Sequence, residues 1–324
     1  MRTLRLLLLP FAVIYDLITA LRNFCYDVGI FNQYHSKVHT IAIGNLSTGG
    51  TGKTPAIEHL IRVHAGKRIG VVSRGYGRKT KGFIEVETSH LPSEVGDEPL
   101  QVKCKFGDII HFAVCEKRAV GIKKLTEKYD LDLILLDDAY QHRSVKAHTY
   151  ILLTSYDRPY YADFVLPAGD LRESRAGAKR ADHVVVTKCP EELSAQERSK
   201  IIKNLRPEKY QQVHFATISY SDELKGARHI NIHDIEQKKI TLVTGIAKPE
   251  PVVDYLEQYF EVEHLKYEDH HVFALSEIER IKVYDIIITT EKDYMRLKQY
   301  EIPNLYYLEM RTAFLSEENP SFYN

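Results

Sequence analysis

The run Thr40-Ile41-Ala42-Ile43-Gly44-Asn45-Leu46-Ser47-Thr48-Gly49-Gly50-Thr51-Gly52-Lys53-Thr54-Pro55 leaves this chain few choices. A short apolar stretch, a glycine-rich turn and a helix start follow one another directly. That is the physical device for cradling a nucleotide triphosphate. Glycines let the backbone turn tightly, so that its N–H groups face the phosphates. The helix that follows adds unpaired N–H groups and the positive end of its dipole. Ser47, Thr48, Gly49, Gly50, Thr51, Gly52, Lys53 and Thr54 are therefore the expected nucleotide-binding residues. Lys53 is expected to reach the β/γ-phosphates and the Thr54 hydroxyl to ligate Mg²⁺. One position departs from the strict pattern G-x-x-x-x-G-K-[ST]. Ser47 stands where glycine is wanted, and the loop is glycine-rich at Gly49 and Gly50 instead.

Other apolar runs alternate with helical patterns in the same way. Val38–Ile43, Ile69–Ser73, Ile109–Val114, Leu131–Leu136, Thr149–Leu153 and His183–Thr187 read as strands. Helices are expected over Pro55–His64 and from Glu116 to Tyr129. This alternation predicts an α/β fold, a P-loop NTPase-like parallel sheet with helices on both faces. Ligands of such sheets bind at the carboxyl ends of strands, where Gly44, Arg74, Asp137 and Lys188 fall. Beyond Pro207 two extended segments, Val213–Tyr220 and Ala227–Ile232, flank the polar turn Ser221–Gly226. Ile240–Thr244, helix Pro249–Tyr259, strand Ile286–Thr290 and helix Glu291–Gln299 then form a second, smaller α/β unit, and the last dozen residues read as a loose tail. The expected organisation is a helical segment at 1–35, a kinase-like domain at 36–212, a β-hairpin linker at 213–238 and a small domain at 239–324.

The N-terminus departs from a soluble pattern. Arg2 and Arg5 precede the apolar run Leu6–Tyr15, Asp16 interrupts it, and Leu17, Ile18, Ala20 and Leu21 continue on a helical period. The unbroken run is about half the ~20 residues a spanning helix needs. A signal peptide shares the charged start, but no small-x-small cleavage site follows. An amphipathic helix dipping into one leaflet is expected, with a core-packed helix as the alternative. Lys+Arg and Asp+Glu balance at 44 each in the 324 residues, which removes the electrostatic footprint of nucleic-acid binding. Cys25, Cys104, Cys115 and Cys189 are scattered without a C-x-x-C, arguing against a zinc or disulfide framework and for a reducing cytoplasm.

Several polar groups fit phosphoryl chemistry. Asp137-Asp138 ends an apolar strand, where an acid holds Mg²⁺, although capping aspartates fit the same place. Gly96-Asp97-Glu98-Pro99 fits either a turn or N-cap, or a general base toward a hydroxyl. Arg118 begins a helix. Arg172 and Glu173 follow the turn Leu166-Pro167-Ala168-Gly169 and suit a phosphoryl clamp and a metal ligand, or a surface ion pair. His142 fits a phosphate contact or a structural hydrogen bond. Asp269-His270-His271 reads by default as a polar loop.

Taken in order, these motifs are specific. Gly44-Asn45 through Pro55, Ser73-Arg74-Gly75-Tyr76-Gly77, Gly96-Asp97-Glu98-Pro99, Asp137-Asp138-x-x-Gln141-His142 and Leu166-Pro167-Ala168-Gly169-x-Leu171-Arg172-Glu173 are followed by Gly245-Ile246-Ala247-x-Pro249, Asp269-His270 and Thr290-Glu291-Lys292-Asp293. Over nearly its whole length the chain closely resembles the tetraacyldisaccharide 4′-kinases, the lipid A 4′-kinases of Gram-negative bacteria. Ala139 and Asp170 depart from the family pattern, which usually has Gly and Pro there; Ser47 does not, because the family does not keep the first loop glycine. The resemblance implies transfer of the γ-phosphate of ATP to the 4′-hydroxyl of a tetraacylated glucosamine disaccharide 1-phosphate. It implies Asp97 as the catalytic acid/base and His270 as its partner across an interdomain cleft. Lys53, Arg118 and Arg172 would stabilise the phosphoryl oxygens, and Thr54, Asp138 and Glu173 would hold Mg²⁺ with Asp137 close by. The implied partners are the acylated lipid and the cytoplasmic face of the inner membrane, with no nucleic acid, and a monomer is expected. A membrane-associated P-loop switch or motor is the competing expectation; it would need neither Asp97 nor His270.

Overall fold

The computed structural model describes residues 5–269 and 271–315. His270 and the last nine positions of the presumed tail lie outside them. Helix α1 (Leu9–Asp27) is followed by β1 (Tyr34–His35) and by the loop strand β2 (His39–Asn45), which leads into α2 (Lys53–Val63). Next come β3 (Ile69–Ser73), β4 (Ile84–Glu85), α3 (Pro92–Val95), α4 (Asp97–Phe106), β5 (Ile110–Val114) and α5 (Arg118–Lys128). The series continues with β6 (Leu133–Leu136), β7 (Val145–Lys146), β8 (Thr149–Ser155), β9 (His183–Thr187), α6 (Ala195–Leu205) and the long β10 (Gln212–Gly226). It closes with β11 (Ile230–Asn231), β12 (Lys239–Thr244), α7 (Glu250–Leu256), β13 (Glu261–Lys266), α8 (Leu275–Ile281), β14 (Ile287–Thr290), α9 (Glu291–Leu297) and β15 (Leu305–Phe314).

All but two of these strands form one sheet of order β13-β12-β14-β15-β10-β9-β8-β2-β6-β3-β5-β4, with β11 paired to β10; β1 and β7 pair separately. From β10 to β5 every pairing is parallel, and so is every pairing from β13 to β15. The two blocks meet where β10 runs antiparallel to β15. The period of two along each strand sorts the core into two faces. Ile41 and Ile43 of β2 pack with Ile57, Leu60 and Leu100 of α2 and α4. Ala42, between them, packs with Ile122 and Leu125 of α5. On β9, Val184 and Val186 meet Ile201 and Leu205 of α6. Helices therefore cover both faces, as expected.

One local expectation is corrected, and three elements appear that had not been expected. Residues 97–106 form helix α4, with Gly96, in the stretch expected as a turn or N-cap, as its N-cap residue. The polar stretch 221–226 continues β10 through a register shift between Tyr220 and Leu224, because β15 supplies partners on its far side. Glu261–Lys266 is a strand, although its alternation of charge and apolar residues is weak. Leu305–Phe314, unassigned in the sequence reading, is the strand that joins the blocks.

Local packing also explains the glycine that opens the loop. A Cβ on Gly44 would stand 2.7 Å from Tyr140 Cβ and 3.0 Å from Tyr140 N. Tyr140 is fully buried and donates its hydroxyl to the Gly177 carbonyl at 2.7 Å, so it has no room to yield. Gly44→Ala should therefore lower stability by about 1–3 kcal/mol. A thermal midpoint unchanged from wild type would show that the tyrosine can move.

Candidate active site

The loop between β2 and α2 is shaped by two left-handed glycines, Gly49 at φ +103° and Gly52 at φ +83°. The structure braces it from both sides. Lys188 Nζ donates to the Gly50 carbonyl and Thr187 Oγ1 to the Thr51 carbonyl, each at 2.8 Å. On the other side Thr48 N donates to the Asp170 carbonyl and Arg172 N to the Leu46 carbonyl, each at 2.7 Å. Lys53 opens α2, with Thr54 next to it in the first turn.

Beside the loop, β6 ends in Asp137-Asp138. Asp138 takes a left-handed conformation, φ +44°. That turn directs its carboxylate to Lys53 at 3.7 Å and Arg172 at 3.1 Å. Burial alone would raise its pKa, but Lys53 and Arg172 outweigh burial and hold it below the usual carboxylate range. Asp137 shows the opposite balance. Burial, reinforced by Glu98 and Asp138, pushes it up to about 6. Its Oδ1 is buried without a hydrogen-bond partner. An orphaned carboxylate oxygen of raised pKa, next to a second acid and a phosphate loop, suits a divalent cation.

Arg118 donates from Nη1 to the Cys115 carbonyl at 3.2 Å and from Nη2 to the Asp137 carbonyl at 3.1 Å. It thus braces the turn that carries both acids. His142 accepts the Arg118 backbone N–H at 3.3 Å. Burial, with Arg118 and Arg74 nearby, lowers its pKa to about 4, so it is neutral at physiological pH. Glu173 is buried; its Oε1 accepts from Gln141 at 3.0 Å and Arg180 at 2.8 Å, and its Oε2 from Asn23 at 2.7 Å.

Asp97 stands at the first position of α4. Gly96 before it has φ +98°, and a Cβ there would lie 2.9 Å from the Tyr76 carbonyl oxygen, so this turn requires glycine. The Asp97 carboxylate is engaged by Arg296 of α9 through Nε at 3.1 Å and through Nη2. Arg296 was not among the expected site residues; its spacing of three from Asp293, about one turn along α9, is the signal that could have found it.

Lys53, Asp97, Arg118, Asp137, Asp138, Arg172 and Glu173 all line one cavity of about 640 Å³. Of the expected nucleotide-binding residues 47–54, Lys53 is the one in its lining. Its outer wall comes from α1 through Tyr15, Thr19 and Arg22.

Comparison with known proteins places this arrangement. The family model described as tetraacyldisaccharide-1-P 4′-kinase matches residues 4–322. The chain belongs to the tetraacyldisaccharide 4′-kinase family. A tetraacyldisaccharide 4′-kinase of Flavobacterium johnsoniae is 46% identical over 98% of this chain and 95% of the relative. Another, of Flavobacterium psychrophilum, is 44% identical with the same coverage. Among solved structures, the crystal structure of an "apo" form of Aquifex aeolicus LpxK in complex with ATP aligns with a TM-score of 0.79 and 27% identity, over 96% of this chain and 95% of that one. The family assignment confirms the kinase expectation and removes the ground for a switch or motor without a lipid acceptor.

The raised pKa of Asp137 has a measurable consequence in the ligand-free kinase. Stability contributed by its protonated form is complete below about pH 4 and is lost as pH rises through about 6. The cost of ionising it is on the order of 1–3 kcal/mol. Asp137→Asn should raise the ligand-free melting temperature at pH 7.5 and change it little at pH 4.5. Equal shifts at both pH values would rule out ionisation as the cause.

Proposed function

We propose that this kinase transfers the γ-phosphate of ATP to the 4′-hydroxyl of a tetraacylated glucosamine disaccharide 1-phosphate at the cavity described above. The observation that carries the reading is the confrontation of Asp97 with Lys53, Asp138 and Arg172 in one cavity walled by α1. Lys53 and Arg172 neutralise negative charge on the transferring phosphoryl group. Arg118 keeps the Asp137–Asp138 turn rigid beneath it. Asp97 takes the proton of the attacking hydroxyl, with His270 as its partner. Thr54, Asp137, Asp138 and Glu173 would hold Mg²⁺. Bound Mg²⁺ supplies counter-charge to the phosphate oxygens. Loop residues 47–54 hold the nucleotide. The reading is tested by mass detection of a 4′-phosphorylated product from Mg·ATP and disaccharide 1-phosphate. Asp97→Ala should lower kcat by about 10²–10⁴-fold while leaving ATP affinity near wild type. Activity within about threefold of wild type would remove Asp97 from the chemistry.

The acceptor's four acyl chains give α1 its role. Residues Leu6–Asp27 form a helix of 22 residues that is long and apolar enough, by length and composition, to cross a membrane. Its side chains are split, however. Tyr15 donates to the Arg172 carbonyl at 2.8 Å, Arg22 to the Gln141 carbonyl at 2.9 Å and Asn23 to Glu173, which fasten one stripe to the cavity rim. Leu7, Phe11, Ile14, Leu17, Ile18, Leu21 and Phe24 make an exposed apolar stripe on a 3–4 residue period. A spanning helix could not keep these polar contacts to the catalytic domain. The split supports a helix lying in the cytoplasmic leaflet of the inner membrane, with the cavity opening beside it. Deleting residues 1–22 should move the protein from membrane to soluble fractions and raise the apparent KM for lipid. Unchanged partitioning would refute the anchoring role.

A further inference from the structure

We propose that Arg296 is a positioning residue that aims the Asp97 carboxylate into the cavity, an inference that rests on the reading of Asp97 as the base. Nε and Nη2 of Arg296 converge on a single oxygen, Asp97 Oδ2. The opposite edge of the guanidinium is also held, because Nη1 donates to Asp293 Oδ1 at 2.9 Å. The Asp293 side chain is fully buried. Its Oδ2 accepts from Gly245 N at 2.9 Å and from Thr290 Oγ1 at 2.8 Å, so it cannot swing away. Gly245 follows β12 and Thr290 ends β14. The second parallel block thus reaches Asp97 through a chain of fixed groups, from two strand ends to a buried aspartate to a planar guanidinium.

The geometry assigns Arg296 a task that a point charge does poorly. Two N–H groups converging on Asp97 Oδ2, from a guanidinium itself pinned at Nη1 by Asp293, hold that oxygen in place, whereas a lysine offers one compact charge on a flexible stem. Among the described residues, the other charges that share the cavity with Asp97 include Lys53, Asp138 and Arg172, with Glu98 beside it on α4. A base displaced by about 1 Å loses on the order of 10²-fold in rate, which sets the effect expected of a positioning residue.

The test is a kinetic cycle on the full-length enzyme in mixed micelles, with Mg·ATP and tetraacyldisaccharide 1-phosphate. Arg296→Gln should lower kcat on the order of 10²-fold, with KM for ATP within about threefold of wild type. Arg296→Lys should recover part of that loss. In the Asp97→Asn background Arg296→Gln should cost less than about threefold more, because a residue acting through Asp97 has nothing left to aim. An equal loss in both backgrounds, or a near-wild-type kcat in Arg296→Gln, overturns the proposal while leaving the base intact. Near-wild-type kcat in Asp97→Asn alone instead overturns the reading of the base. Should Arg296→Gln fail to fold, the same cycle with Arg296→Lys decides the matter by its additivity with Asp97→Asn.

Discussion

The antiparallel pairing of β10 with β15 is the constraint on which the site depends. One fifteen-residue strand serves both blocks: its first residues pair parallel with β9, and Ala216 onward pairs antiparallel with β15. With β15 placed, the crossover from β14 through α9 is placed as well, and α9 comes to lie on α4. The junction is reinforced by buried charge. Lys105 of α4 sits among Glu58 of α2, Glu291 of α9 and Glu309 of β15. Arg62, Lys225 and Arg311 also pair with Glu309, at 2.8 Å, 2.7 Å and 3.0 Å. Burial, with Glu58 beside it, pushes Glu291 up to about 7, whereas the cations around Glu309 overcome burial and hold that group below the usual range. Removing one partner from such a cluster typically costs about 3–5 kcal/mol, so the seat of α9 is firmly set.

The same pairing gives the cavity its division of labour. The first block supplies the phosphate loop, the paired acids and the cations around them. The second block contributes Arg296, which engages the acid on the opposite wall. Helix α1 closes the remaining side and turns its apolar stripe outward, which sets a wet, charged cavity directly beside a lipid-compatible surface. An enzyme acting on the polar head of an acylated sugar needs that adjacency, since the reacting hydroxyl must leave the interface without its chains leaving the bilayer.

The loop, the acids at the end of β6 and the alternation of strands and helices were legible because each depends on short-range pattern. Glycine at left-handed positions, apolar runs of strand length and a lysine at a helix start are local requirements. Helix α4 escaped because Pro99 and its lysines obscure its period. The strand β15 escaped because its residues mix Tyr, Glu and Arg, and only partners on both sides make that mixture a buried strand. The Glu173 environment was hidden for a related reason: two of its three donors, Asn23 and Gln141, are distant in sequence and arrive from α1 and from the turn after β6.

By itself, the sequence determined that the chain builds a phosphate-binding α/β sheet, carries an amphipathic N-terminal helix and belongs with lipid-phosphorylating kinases. These follow from periodicity and from motifs whose chemistry is contained within a few residues. Tertiary structure alone decided which charges meet. Asp137 became an orphaned, hard-to-ionise acid while its neighbour Asp138 became a paired one, and Asp97 acquired Arg296 across 199 positions of chain. The physical reason is that a carboxylate's pKa and orientation are set by burial and by the nearest opposite charge, and long-range strand pairing decides which charge that is.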